Sequence, residues 1–420
     1  MALGKRIVML TTSPLPYGDS ITDGPGYRAW HLLSHLARKH EVAVLSLYES
    51  FHLGIKKECE VVENDIRVKC VPAKPKIIAD LIEQGNPDVL YLPCLSTPFL
   101  SRLKRKIPTV LDYTGSGLLE EYVSRGRVPV TLLEMKLKSF WLGDFFVASG
   151  ERERYYLLGL MVASRKLSRG KHGRSDPLIH VIPMTPPLEP PVLREKAFQR
   201  KPEDFVLLVA GAFLPWYDYA AFFEALKLLQ GKGVRNVKAV FMGGNPRDKK
   251  FERRVRLMAE TPEIRDNVMF AGLVPFKDRA NYYLLADAAV NIPPSTVEDE
   301  LSVRTRVVDY VWAGLPLITP ARDEYSGTVV AGGGGFKYEA GDSSSLCEVI
   351  EKLINDKQAL QQAKSRLKGL LESEFEIEKF ISPLKKFIEK PYVDSERSST
   401  SRISSDVFLW LRDVANLIKH

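Results

Sequence analysis

Asp204-Phe-Val-Leu-Leu-Val-Ala-Gly211 is an apolar run of strand length that ends in glycine, and it restarts in mid-chain a pattern begun by Lys5-Arg-Ile-Val-Met-Leu-Thr-Thr12. Such runs read as buried-type strands. The first is followed by a Gly/Pro-rich loop over 14–26. An amphipathic helix over 27–39 comes next, with Trp30, Leu32, Leu33, Leu36 and Ala37 on its apolar side, then the strand Glu41-Val-Ala-Val-Leu-Ser-Leu47. Asp88-Val-Leu-Tyr-Leu92, Pro108-Thr-Val-Leu-Asp112 and Asp144-Phe-Phe-Val-Ala-Ser149 continue the series. After the second run come a helix over 219–230, strands over 237–243 and 267–272, a helix over 277–285, and strands over 288–292 and 315–319. A last helix is expected near 344–356. Strands alternating with helices predict a mostly parallel sheet covered on both faces, built twice. Pro183-Met-Thr-Pro-Pro-Leu-Glu-Pro-Pro191 can sustain neither a helix nor a central strand and reads as the join.

Bulk properties agree with that plan. A chain of 420 residues exceeds one ordinary core, and 45% hydrophobic with 27% charged residues is a globular balance. No run approaches the ~20 apolar residues of a transmembrane helix. Met1-Ala-Leu-Gly-Lys-Arg leads straight into a strand, so no signal peptide is expected. Cys59, Cys70, Cys94 and Cys347 lack close pairing or metal spacing and read as reduced thiols of a cytoplasmic protein. The net charge of +8 favours anionic partners. Basic residues concentrate at 104–106, 165–174 and 247–256, either as solvated faces or as contacts to an anionic membrane or a phosphorylated acceptor. No aromatic residues interleave the 165–174 run, which argues against nucleic acid.

The densest polar chemistry lies in Glu298-Asp-Glu-Leu-Ser-Val-Arg-Thr-Arg-Val-Val-Asp309. A helix beginning near Ser302 would put Ser302, Arg306 and Asp309 on one polar stripe, and Val303, Val307 and Val311 on an apolar one. On that helix Arg304 points elsewhere, so both arginines reach a ligand only if the helix begins later. Carboxylate and guanidinium together suit a hydroxylated anion such as a nucleotide-sugar. Arg304 and Arg306 would hold a diphosphate bidentately, or pair with Glu298, Glu300 or Asp309. Gly211 either lets backbone approach phosphate or makes a plain turn. Trp216 stacks on a ligand or packs in the core, and Asp218 caps the helix after it. Gly18, Gly24 and Gly26 precede a helix N-terminus, which can offer N–H groups to an anion, with Arg28 beside them in contact with phosphate, acceptor or a surface ion-pair partner. Asp112 and the Glu151-Arg152 pair follow strand ends, and Glu121 lies between them in the chain. His31 and His35 lack a third ligand, so no metal site is expected.

Four segments in order resemble the group 1 family of retaining, nucleotide-sugar-dependent glycosyltransferases. They are Gly24-Pro-Gly-Tyr-Arg-Ala-Trp30 with His40-Glu-Val42; Ala148-Ser-Gly-Glu-Arg152 with Leu158-Gly159; Pro215-Trp-Tyr-Asp218; and Glu300-Leu-Ser-Val-Arg-Thr-Arg306 with Asp309-Tyr-Val-Trp-Ala-Gly-Leu-Pro316. The resemblance implies an α/β GT-B architecture, two Rossmann-like doubly wound domains facing across a cleft. The expected boundaries are 1–185 for the acceptor domain, 186–378 for the donor domain and 379–420 for crossover and tail helices, including an amphipathic helix over 406–419.

The family carries Glu-x7-Glu before its Gly-x-Pro turn. Here the second Glu aligns with Asp309, and the first falls near Glu300, one residue too far. The resemblance thus implies that Glu300, Arg306 and Asp309 are catalytic, with Asp309 on ribose hydroxyls and Glu298 or Glu300 toward sugar or phosphates. Gly24, Gly26, Arg28, Gly211, Trp216, Glu298, Ser302 and Arg304 are expected to bind the donor, and Asp112, Glu121, Glu151 and Arg152 the acceptor. Many relatives place an Arg and a Lys after the strand that here is followed by Ala210-Gly-Ala-Phe-Leu-Pro-Trp216; Arg304 and Arg306 would supply that missing charge. The implied reaction moves a sugar from a nucleotide diphosphate to an acceptor hydroxyl with retention and without a metal or other cofactor, the nucleotide-sugar being a co-substrate. The acceptor is a sugar, polysaccharide or lipid-linked glycan. The protein is expected in the cytoplasm, either free or peripheral on the inner face of the membrane. Epimerase or pseudo-glycosyl coupling chemistry, or non-catalytic nucleotide-sugar binding, are the competing functions.

Overall fold

The computed structural model describes residues 4–17, 20–48, 59–63, 65–93, 102–164, 166, 178–245, 248–293, 295–395 and 397. The chain splits into two compact units, one from Met1–Thr185 with the stretch from Ile377 onward, the other from Pro186–Glu376. The division falls inside the proline-rich join.

The first unit holds an eight-stranded sheet. Its strands are β1 (Arg6–Thr11), β2 (Glu41–Ser46), β3 (Cys59–Glu63), β4 (Ile66–Cys70), β5 (Val89–Pro93), β6 (Thr109–Tyr113), β7 (Phe145–Ala148) and β8 (His180–Val181). They run in the order β3-β4-β2-β1-β5-β6-β7-β8. All neighbours are parallel except β3 and β4, a hairpin the apolar-run reading missed. Its strands are short and half exposed, so they lack the apolar run by which the others announce themselves.

Strand residues alternate between two cores, as a period of two requires. Ile7, Met9, Val44, Tyr91, Val110 and Phe145 pack on one face, against Trp30, Leu33 and Leu36 of the helix Gly24–Ala37. Val8, Leu10, Leu90, Leu92, Leu111 and Phe146 pack on the other, with Ile78 and Ile82 of Pro75–Gly85 and Leu157 and Met161 of Glu151–Ala163. Ile377, Ile381, Leu384, Phe387 and Ile388 complete the first of these cores. The stretch expected as a separate segment from 379 is therefore, in its described part, integral to the first unit. Arg397 fastens it further, with Nη1 2.7 Å from Asp144 Oδ2 and 2.6 Å from the Ile107 carbonyl. The helix expected over 406–419 lies outside the described residues.

The second unit is a six-stranded, all-parallel sheet of β9 (Phe205–Ala210), β10 (Val237–Met242), β11 (Val268–Gly272), β12 (Ala288–Val290), β13 (Leu317–Thr319) and β14 (Gly335–Lys337). The order is β11-β10-β9-β12-β13-β14. The chain builds outward in one direction from β9 and then in the other from β12. Ligands of open α/β sheets bind beyond the carboxyl ends of the strands where the order reverses, here between β9 and β12.

Two of the basic runs are tied into the fold. Lys104 lies by Glu83, Arg105 donates to Asn86 Oδ1, and Lys106 donates to the Arg397 carbonyl. Lys249 and Arg256 both bridge to Glu252. The 165–174 run lies outside the described residues except for Lys166, which is buried beside Asp394. Among the described residues no helix is long and apolar enough to cross a membrane.

Candidate functional site

At the carboxyl end of β9 the chain turns at Gly211 with φ +128°, its amide donating to the Met242 carbonyl at 2.9 Å. A side chain on neighbouring Gly243 (φ +147°) would lie 1.8 Å from the Gly211 carbonyl oxygen, so the close approach of these two strand ends requires glycine there. The loop continues to Asp218, which accepts from the Ala221 amide and caps the helix Tyr219–Gly231. The Asp218 amide donates to the Ile292 carbonyl just past β12, joining the loops that flank the switch point.

The segment over 297–312 does not form one helix from Ser302. A short helix, Val297–Leu301, is capped by the Thr296 hydroxyl and ends with Ser302 in extended conformation. A second helix, Thr305–Trp312, then begins. The polar stripe expected through Ser302 is broken, and Ser302 is buried. Arg304 precedes the second helix and turns inward. Its guanidinium reaches Glu298 Oε2 at 2.8 Å and Asp299 Oδ1 at 2.9 Å, and lies over the Tyr217 ring. This is the ion-pair alternative, and it staples the short helix to the start of the next. Burial pushes the Asp299 carboxyl up to about 7, Arg304 opposing it and Asp323 and Glu298 adding to it. Glu298 is consumed in this pair, whereas Glu300 is exposed and pairs with Arg322.

Arg306 differs from Arg304. Its side chain keeps 28% exposure, and its Cγ would be 3.7 Å from a Cβ placed on Gly211. Its Nη1 lies 3.0 Å from Asp309 Oδ2. Asp309 itself has no exposed surface and also receives the Tyr283 hydroxyl at 2.9 Å and Arg279 Nε at 3.4 Å. Burial alone would raise its carboxyl, but Arg279, Arg306 and the hydrogen bonds outweigh burial and hold it below the usual value. An Asp309 turned toward ribose, as the resemblance implies, is thus not what the structure presents. Among the described residues, Trp216 Nε1, Asn291 Nδ2 and Ser302 Oγ are buried side-chain atoms that find no hydrogen-bond partner. Desolvated donors of this kind are costly unless something bonds them.

In the first unit the expected residues find different partners. Asp23 caps the helix Gly24–Ala37, its carboxylate accepting from the Gly26 amide at 2.8 Å. Pro25 has no amide hydrogen, so the Gly24–Gly26 turn already spends an N–H on a carboxylate rather than offering it to an anion. Gly18 lies outside the described residues. Arg28 and Asp112 come together as a buried pair, Nε to Oδ2 2.8 Å, with Arg28 also donating to the Ile182 carbonyl and Tyr91 to Asp112. Neither is open to an acceptor, and the pair joins helix to strand inside the unit. Glu121 pairs with Arg125 and Glu151 with Arg154, each along its own helix, and Arg152 is exposed. His31 meets the Tyr27 ring edge-on, and His35 Nε2 lies 2.9 Å from Glu378. Among the described residues no group of three or more His, Cys, Asp or Glu is placed to hold a metal ion.

Residues 193–368 match the family model described as glycosyl transferases group 1. That stretch belongs to the group 1 glycosyl transferases. No curated protein matches the chain in sequence. Solved structures extend the likeness across both units, and the fold is GT-B. Sucrose-phosphate synthase from Thermosynechococcus elongatus is similar with TM-score 0.68 and 14% identity, covering 92% of this chain and 98% of that one. Anabaena HepE in complex with UDP and glucose is similar with TM-score 0.66 and 13% identity over 92% and 99%. A glycosyltransferase from Rickettsia africae gives TM-score 0.60 and 14% identity over 93% and 100%.

Within the glycosyl transferase domain, reading the sequence missed Arg279 and Tyr283, which lie about a helix and a strand upstream of Asp309 and meet it only in the fold. In the first unit it missed Glu153, which is fully buried and accepts from the Ser149 amide at 2.6 Å. Burial raises its carboxyl to about 7, against the pull of that amide, Arg28 and Lys136. A Glu at the third helical position is a capping signal, and that cue was available.

Proposed function

We propose that this protein transfers a sugar from a nucleotide-diphosphate sugar to an acceptor hydroxyl, with retention at the anomeric carbon. The observation that carries the reading is Arg306, a partly exposed basic side chain whose stem lies beside Gly211 at the switch point of a group 1 domain. Breaking the bond between anomeric carbon and phosphate oxygen sends an electron pair onto the departing diphosphate while positive charge builds on the sugar. A preorganised guanidinium stabilises that leaving anion as it forms. The acceptor oxygen bonds the anomeric carbon on the face the diphosphate leaves, and the acceptor proton passes to a leaving phosphate oxygen. The reaction so written balances without a side-chain base. Solved HepE carries UDP and glucose, which supports a uridine donor as the first to try. The guanidinium also supplies charge a divalent cation would otherwise give, so turnover is expected to persist in EDTA.

The test is nucleotide release from a panel of nucleotide-sugars, with and without sugar or lipid-linked acceptors, and NMR of the product's anomeric configuration. Donor binding with no turnover on any acceptor would reduce the protein to a nucleotide-sugar binder. An inverted product would overturn retention alone.

A further inference from the structure

We propose that Asp309 is a positioning residue: with Arg279 and Tyr283 it fixes Arg306 as the cation that meets the donor's diphosphate, and it does not touch the ribose. This inference rests on the donor-site reading above. A carboxylate that bonds ribose hydroxyls must turn an oxygen toward the ligand. Asp309 has no exposed surface, Oδ2 is shared by the Tyr283 hydroxyl and Arg306 Nη1, and Oδ1 faces Arg279 Nε. Arg279 is itself buried, donates to the Phe276 carbonyl at 2.7 Å, and lies 3.4 Å from the Phe276 ring centroid and 5.0 Å from that of Trp312.

Arg306 closes the set on its outer side. Its hydrogen bonds to Asp309 and Tyr283 both run through Nη1, and its side chain keeps 28% exposure. Two parallel N–H groups of one guanidinium suit a phosphate oxygen pair. A buried carboxylate that locks such a fork in one orientation removes the entropy of ordering it when the ligand arrives.

The experiment uses the full chain, with Asp309→Asn and the milder Tyr283→Phe, which removes a single hydroxyl. UDP, GDP and ADP are titrated calorimetrically into the wild type, and each that binds is compared with its 2′-deoxy and 3′-deoxy forms in all three proteins. The expected result is a loss of about 10-fold in diphosphate affinity in Asp309→Asn and a smaller loss in Tyr283→Phe, with the deoxy penalties unchanged. A deoxy penalty that collapses in Asp309→Asn would show direct ribose contact and overturn the proposal. Undiminished diphosphate affinity in both variants would also overturn it. If none of the three diphosphates binds the wild type, the donor-site reading has failed, and this inference goes with it. Should Asp309→Asn not fold, the diphosphate affinity of Tyr283→Phe decides, and an undiminished affinity there overturns the proposal.

Discussion

Glu153 has no exposed surface, and its carboxyl titrates at about 7 because burial disfavours the charge. The folded state therefore holds this proton more tightly than the unfolded chain, where the usual value is 4.5. Its contribution is fully present below pH 4.5 and is lost as pH rises through 7, a change of up to roughly 3 kcal/mol. Thermal melts of Glu153→Gln should show a flatter profile between pH 5 and pH 8 than wild type, and higher stability at pH 8. Equal slopes for the two proteins would refute the assignment. Arg306 is the residue for a binding measurement. Arg306→Ala leaves Asp309 paired with Arg279 and Tyr283, so the fold persists while nucleoside diphosphate affinity drops about 10- to 100-fold.

Elements carry their own test at the helix Gly24–Ala37, where the Asp23 carboxylate bonds the Gly26 amide. Asp23→Ala should cost about 1 kcal/mol, read as a lower urea midpoint with unchanged slope, whereas an anion-binding role for this turn predicts stabilisation by added phosphate in the variant. How much of this was visible beforehand differs by element. β1 and β9 are apolar on both faces and identify themselves, because a strand between two helix layers has no polar side to show. Asp218 as a helix cap was equally plain. The break at 302–304 was not, since Ser302-Val303-Arg304 contains neither glycine nor proline and the stripe of Val307 and Val311 continues past it. What interrupts the helix is Arg304 turning inward to Glu298 and Asp299, a contact whose worth depends on burial that no local pattern encodes. Arg28 and Asp112 were both picked out as site residues, but their partnership across 84 positions belongs to the sheet order rather than to either motif.

Across the whole molecule, two units of this kind should melt separately when one is damaged. Ending the chain at Glu376 removes Ile377, Ile381, Leu384, Phe387 and Ile388 from the first core. At about 1.5–3 kcal/mol for each buried apolar side chain, the loss rivals the total stability of a domain. Calorimetry of that truncation should show the transition of the first unit gone and that of 186–376 retained. Loss of both transitions would mean the second unit cannot stand without the first.

The return of the chain to its first core also sets a timetable. A ribosome adds about 5–20 residues per second. The strands of the first unit are made early, yet the residues that close one face of their sheet come only after the whole of 186–376 has been made. The later unit is contiguous and can fold as soon as it emerges. For about 10 to 40 seconds the older half waits with an apolar face unsealed, a nascent chain in which the second-born domain matures first.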